Sequence, residues 1–213
     1  MLFVNLCESR CPDRVAMDDL GPLARNLGAV SAPTVSLATR FLCCTEWACS
    51  GSADVEETGA TFEENALLKA RQMSAATGLP AIADDSGLCV DALGGDPGIF
   101  SAIWAGPKKD FLKASKDIEK KLIEIGSSNY SAYFICALAV CWPDGESRIF
   151  KGKINGNLNF PPKGNLGFGY DPIFIPRNYD ITFGEMDPII KHKISHRSVA
   201  FDLFSRELLV EKE

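Results

Sequence analysis

From residue 54 onward the apolar positions keep step with secondary structure; before it they show no sustained period. Thr61-Phe62-Glu63-Glu64 has the form of a capping box, a hydroxyl followed three residues later by a carboxylate. The run from Glu63 to Thr77, rich in Ala, Leu, Lys, Arg and Gln, predicts a helix. Gly78 suits the left-handed position past its end, and Pro80 blocks continuation. Ala81-Ile82-Ala83 predicts a short buried strand that ends in two aspartates. Phe111, Leu112, Ile118, Leu122 and Ile125 recur near helical spacing among lysines and acids, predicting an amphipathic helix over 107–125. Phe134 to Trp142 predicts an apolar strand. Pro143-Asp144-Gly145 is a turn signal, and Arg148 to Lys153 reads as the returning strand of a hairpin. Pro161, Pro162, Gly164, Gly167 and Gly169 make 161–171 a loop, after which Ile173 to Ile175 resumes a strand. Asp187-Pro188 starts a helical turn with proline in its first position, and Ser195 caps a last helix running to about Leu209. Ala92 to Ala105, with Leu93, Ile99, Phe100 and Trp104, is apolar and reads as core or interface, core being the plainer. Intermixed helices and strands predict an α/β fold.

Composition narrows the class. At 213 residues and 46% hydrophobic, the chain can bury a substantial core. No apolar run approaches the roughly 18 residues that span a bilayer. Met1 to Leu6 is too short for a signal-peptide core and soon meets Glu8 and Arg10, which predicts a cytoplasmic protein with no membrane partner. There are 8 cysteines but no CxxC pair, and only 2 histidines, so zinc is not expected and the thiols read as reduced. The net charge of −6 argues against nucleic acid as a partner, which calls for a basic footprint. A small anionic substrate remains open, provided a local cationic pocket or a metal ion meets it.

Four stretches carry candidate chemistry, each with a plainer reading beside it. Asp84-Asp85-Ser86-Gly87 sets two carboxylates where a strand is predicted to end; such acids hold Mg²⁺ or take a proton from water, or form a solvated turn. Glu56-Glu57-Thr58-Gly59 precedes a helix bearing Glu63, Glu64, Asn65 and Lys69. Glu64 and Asn65, being adjacent, point about 100° apart, and the acids also suit simple capping. Gly164-Asn-Leu-Gly-Phe-Gly-Tyr-Asp171 brings Phe168 and Tyr170, which can stack on a base, and Asp171, which can accept from its edge. Lys191 with Ser195-His196-Arg197 flanks a helix start suited to anions, or is structural capping. Phosphate-loop and dinucleotide glycine fingerprints are absent, and Ser195 lacks a hydrolase triad.

Together these stretches resemble the inosine triphosphate pyrophosphatase family. The resemblance rests on EETGATFEENALLKAR (56–71), LPAIADDSGLCVDALGGDPGIFSA (79–102), GNLGFGYDPIF (164–174), TFGEM (182–186), and Lys191 with ISHR (194–197). It covers roughly residues 54–208. It implies a long central mixed sheet flanked by helices, with two lobes around a nucleotide cleft, in a homodimer. It also implies Mg²⁺-dependent hydrolysis of ITP, dITP and XTP to monophosphate and pyrophosphate. Asp85 would orient or deprotonate the attacking water and contact the metal. Glu57 would be a metal ligand, with Glu64 and Asp84 in support. Lys69 would meet the phosphates and Ser86 the substrate. Phe168, Gly169, Tyr170, Asp171, Lys191, His196 and Arg197 would hold base and sugar.

Residues 1–53 form an atypical N-terminal segment ahead of the pyrophosphatase domain at 54–213. The family opens with a strand and a Thr/Ser-x-Asn-x-x-Lys phosphate loop. Ser36-Leu37-Ala38-Thr39, within a candidate strand over Val35 to Leu42, resembles that strand, but Arg40 to Cys44 lacks the Asn and Lys. Thr39 to Glu56 is about half the expected spacing, as an altered reading frame or start would produce. The alternative function is therefore a nucleotide-binding relative impaired in turnover. Modified pyrimidine triphosphates are a further substrate class that the same acids fit.

Overall fold

The computed structural model describes residues 42–43 and 55–208. Apart from Leu42 and Cys43, the expectations for the N-terminal segment lie outside these residues. The elements are β1 (Leu42–Cys43), α1 (Phe62–Thr77), β2 (Ala81–Val90), α2 (Ser101–Trp104), α3 (Phe111–Glu124), β3 (Ser131–Cys141), β4 (Ser147–Leu158), β5 (Phe174–Pro176), α4 (Pro188–Ile194) and α5 (His196–Leu208). The sheet runs β1-β2-β3-β4-β5; β1 lies parallel to β2 and the other neighbours are antiparallel. This is the mixed α/β sheet expected.

Local chemistry sets the element ends. Thr61 Oγ1 accepts the Glu64 N–H at 3.1 Å, and Glu64 reaches back to accept the Ala60 N–H at 2.7 Å, one residue ahead of the cap, a variant of the capping box. Gly78, at φ 66°, ends α1. The β3–β4 hairpin turns at Pro143–Gly145, where the Gly145 N–H meets the Trp142 carbonyl at 2.9 Å. Asp187 caps α4 ahead of Pro188, and Ser195 Oγ accepts the Ser198 N–H at 3.1 Å.

Two expectations change. The strand after Pro80 does not stop at the aspartates: β2 continues to Val90, so Asp84 to Gly87 is strand interior rather than a turn. Gly87 is required by packing, because a Cβ there would lie 2.4 Å from the Gly98 carbonyl oxygen and 2.6 Å from Ser101 Oγ. The helix expected over 107–125 begins at Phe111, since Lys109 turns left-handed at φ 52° and Asp110 caps the Lys113 N–H. Its buried stripe is Ala114, Ile118 and Leu122, with Leu112 and Ile125 exposed.

Alternation along β2 places helices on both faces. On one face Ala66 and Ala70 of α1 meet Ala83, Ala137 and Ala139, a small-on-small contact that draws the helix close. On the other, Phe204 packs with Ile82, Val140 and Phe150. Burying a side chain of that size contributes about 1.5–3 kcal/mol. Gly152 of β4 lets α5 approach, since a Cβ there would stand 1.9 Å from the His196 carbonyl oxygen. The largest cluster joins Ile118 and Leu122 of α3 to Val90, Phe134, Phe174, Phe183 and Tyr170.

Candidate active site

Consecutive strand residues point to opposite faces, so Asp84 and Asp85 serve two different clusters. Asp85 turns toward α1, where its Oδ1 accepts from Lys69 Nζ at 3.3 Å and its Oδ2 from Asn65 Nδ2 at 3.3 Å. Lys69 also donates to Glu57 Oε1 at 2.9 Å, so one ammonium stands between two carboxylates. Burial raises the Asp85 carboxyl to about 6; Lys69 and Asn65 oppose the rise, while Glu57 adds to it. Burial alone would lower the Lys69 ammonium, but Asp85, Glu57 and Asp84 together hold it above the ordinary lysine range. Glu64, expected in support, spends a carboxylate oxygen on the capping box. Glu63 pairs with Lys151 at 2.6 Å.

Asp84 turns toward α5. Its Oδ2 accepts from Arg197 Nε at 3.3 Å and from Ser86 Oγ at 2.9 Å. Burial pushes its carboxyl up, yet Arg197, Lys69 and the Ser86 hydroxyl outweigh that and hold it below the usual range. Beside it, His196 lies stacked on Phe134, centroids 4.9 Å apart and 13° from parallel. Burial first, then Arg197 and Lys191, depresses this imidazole well below the ordinary value. Its Nδ1 is buried without a hydrogen-bond partner among the described residues. An orphaned buried nitrogen costs free energy unless something bonds it.

The glycine loop, 164–171, is built from within. Asp171 is 3% exposed, and its Oδ2 accepts from Lys191 Nζ and the Phe168 N–H. Gly167, at φ 74°, is obligatory: a Cβ would fall 2.2 Å from Asp171 Oδ2. Tyr170 is 2% exposed, packs edge-on against Phe111, and donates its hydroxyl to the Ser101 carbonyl at 3.0 Å. Tyr170 thus has no free ring face, whereas half-buried Phe168 meets Phe111 edge-on at 4.9 Å. Phe168, Gly169 and Tyr170 thus frame the loop, with Lys191 and Asp171 tying it to α4.

Asn65 was legible only as a neighbour of Glu64 pointing elsewhere. It is 2% exposed and holds both Asp85 and the Gly59 N–H, the latter at 2.8 Å. The 100° turn between successive helix positions was the available signal.

A mixed sheet bearing acids on both faces of one strand, a buried lysine between two carboxylates and a glycine–aromatic loop with an orphaned imidazole defines an α/β protein of the nucleotide-handling kind. The Ham1 family model matches residues 36–207, and the chain belongs to the Ham1 family. It is 54% identical over 151 residues to a dITP/XTP pyrophosphatase of Caulobacter vibrioides, covering 71% of this chain and 78% of that one. It is 48% identical over 191 residues to the dITP/XTP pyrophosphatase of Rhodospirillum centenum, covering 89% and 94%. Among solved structures, the Coxiella burnetii HAM1 protein superposes with TM-score 0.76 at 35% identity over 92% of this chain and 95% of that one. The Staphylococcus aureus Ham1 protein gives 0.72 at 41% identity over 76% and 84%. The resemblance read from the motifs is borne out.

Proposed function

We propose that this chain hydrolyses non-canonical purine nucleoside triphosphates (dITP, ITP and XTP) to the monophosphate and pyrophosphate, using Mg²⁺. The observation that carries the reading is the Lys69 ammonium held between Glu57 and Asp85, with Asp85 still raised to about 6 by burial and Glu57. Such a cluster carries more negative charge than one lysine neutralises. Glu57 and Asp85 fit Mg²⁺ because both donors are hard oxygens. No group of three or more His, Cys, Asp or Glu gathers for a metal among the described residues. Mg²⁺ is commonly held by one or two carboxylates, with water and phosphate oxygens completing its shell. Bound there, it supplies positive charge against phosphoryl oxygens as they gain negative charge.

Asp85 has a carboxyl suited to general-base work near neutral pH. It takes a proton from the water that attacks the α-phosphorus; the bond from that phosphorus to the bridging oxygen breaks, and pyrophosphate leaves. Lys69 stays cationic and meets the phosphates. Asp84, which also accepts from Ser86, holds Arg197, whose guanidinium serves the 6-oxo group of the base. The neutral His196, stacked on Phe134, backs the base pocket beside Arg197, and Phe168 offers a ring face. Lys191, Asp171, Gly169 and Tyr170 keep the loop in shape around them. Adenine presents an amino donor where hypoxanthine and xanthine present an acceptor, leaving protein donors unpaired at about 1–3 kcal/mol each.

The reading includes a two-lobed cleft, cytoplasmic location and a homodimer. Phe100 and Ile103, 48% and 68% exposed, offer apolar surface for a second copy. No helix among the described residues is long and apolar enough to cross a membrane. The test is pyrophosphate and monophosphate release from a panel of dITP, XTP, ITP, dATP, dGTP and modified pyrimidine triphosphates with Mg²⁺, comparing the parent with Asp85→Asn. Release from the 6-oxo substrates that the variant loses is expected. Binding of dITP without release would instead make the chain a nucleotide-binding relative without turnover.

A further inference from the structure

We propose that Asn65 is a positioning residue that presets the spacing between Glu57 and Asp85, the two carboxylates of the cation site; this rests on the reading above. The two acids come from different parts of the fold. Asp85 sits on β2, held by the β2–β3 ladder. Glu57 sits in the segment ahead of α1, outside any strand or helix. Something must fix that segment against the strand, and Lys69 alone is a flexible tether.

The Asn65 carboxamide spans the gap with both its ends. Its Oδ1 accepts the Gly59 N–H at 2.8 Å, two residues from Glu57. Its Nδ2 donates to Asp85 Oδ2 at 3.3 Å. Gly59 fits this contact closely, since a Cβ there would lie 2.6 Å from Asn65 Oδ1 and 2.7 Å from the Glu64 Cβ. Asn65 is itself fixed at the first turn of α1, its N–H on the Thr61 carbonyl at 3.1 Å. The chemistry of the side chain is specific. An amide of this length offers an acceptor to a backbone N–H and, from its other end, a donor to a carboxylate. A buried aspartate in its place would have no donor for Asp85; an alanine would leave the Gly59 N–H unpaired. Outer partners that orient metal ligands typically govern affinity by about 10–100-fold.

The experiment compares the parent with Asn65→Ala and Asn65→Ser, the latter retaining a small polar group for a safer fold. Three readouts are taken: Mn²⁺ binding to the nucleotide-free protein by electron paramagnetic resonance, dITP hydrolysis with Mg²⁺, and hydrogen exchange at the Gly59 amide by NMR. Mn²⁺ affinity is expected to fall about 10-fold or more in both variants. The kcat is expected to fall similarly while KM for dITP changes less than about threefold, and Gly59 loses its exchange protection. Folded variants with parental Mn²⁺ affinity and kcat overturn the proposal, whichever of the two substitutions folds. A parent that binds Mn²⁺ in an Asn65-dependent way but releases no pyrophosphate sinks the proposed function and leaves this inference standing. A parent that hydrolyses dITP without Asn65 dependence does the reverse, and one that neither binds Mn²⁺ nor hydrolyses dITP overturns both.

Discussion

Asp84 and Asp85 are consecutive in the chain and bound to different helices: Asp85 meets Lys69 of α1 and Asp84 meets Arg197 of α5, each at 3.3 Å. The two acids are therefore expected to fail differently. Asp85→Asn removes the proposed proton acceptor and should lower kcat by at least about 100-fold, the lower range of general-base contributions. Asp84→Asn releases Arg197 and should raise KM for dITP by about 10-fold, with kcat within about fivefold. Steady-state pyrophosphate release separates the two. Equal losses of kcat would contradict the division.

The raised carboxyl of Asp85 also makes a stability claim in metal-free protein. Its value climbs from 3.8 to about 6 in the fold. The folded state thus favours the protonated acid. That contribution is complete below pH 3.8 and is lost as pH rises through about 6. Asp85→Asn resembles the protonated form at every pH. In EDTA it should be more stable than the parent at pH 8 by roughly 2–3 kcal/mol, the gap closing toward pH 4. Urea unfolding at the two pH values measures this, and a variant less stable at pH 8 would contradict it.

His196 should stay neutral throughout the physiological range. Burial with Arg197 and Lys191 nearby pushes its imidazole well below 6.5. In NMR its ring protons are expected to keep neutral-form shifts across the range where an ordinary histidine titrates. A midpoint at or above the ordinary histidine value would contradict this.

Gly152→Ala should destabilise the fold without touching any reacting group. The added carbon would fall 1.9 Å from the His196 carbonyl oxygen, a backbone atom that moves only if α5 moves. A loss of about 1–3 kcal/mol or more is expected by chemical denaturation. Phe134 and His196 would separate with it, so affinity for dITP should fall as well.

Much of the fold could be read ahead of the structure because local chemistry set it. The Thr61–Glu64 box, Gly78, the Pro143–Gly145 turn and the Asp187-Pro188 start depend on neighbours a few residues away, and each holds. The length of β2 could not be read that way. Asp-Asp-Ser-Gly has turn composition, and only the Gly98 carbonyl and Ser101 hydroxyl, distant in sequence, explain why Gly87 is a strand residue. The site shows the same divide. Lys69, Asp85, His196 and Arg197 were recognisable as chemistry-bearing, but which acid meets which cation follows from strand alternation. Tyr170 looked like a stacking surface, and its partner, the Ser101 carbonyl, lies too far along the chain for any local pattern to reveal.

Carrying the acid pair on a strand, rather than on a turn, ties both acids to one ladder. Asp84 opposes Leu138 and Asp85 opposes Ala137 in an unbroken pairing with β3. A slip of one residue would exchange the two, sending Asp84 to Lys69 and Asp85 to Arg197. The acids would still be present, the charge unchanged, and every assignment reversed. The protein thus distinguishes its two aspartates by parity alone, a form of addressing in which the backbone tells two chemically identical groups apart.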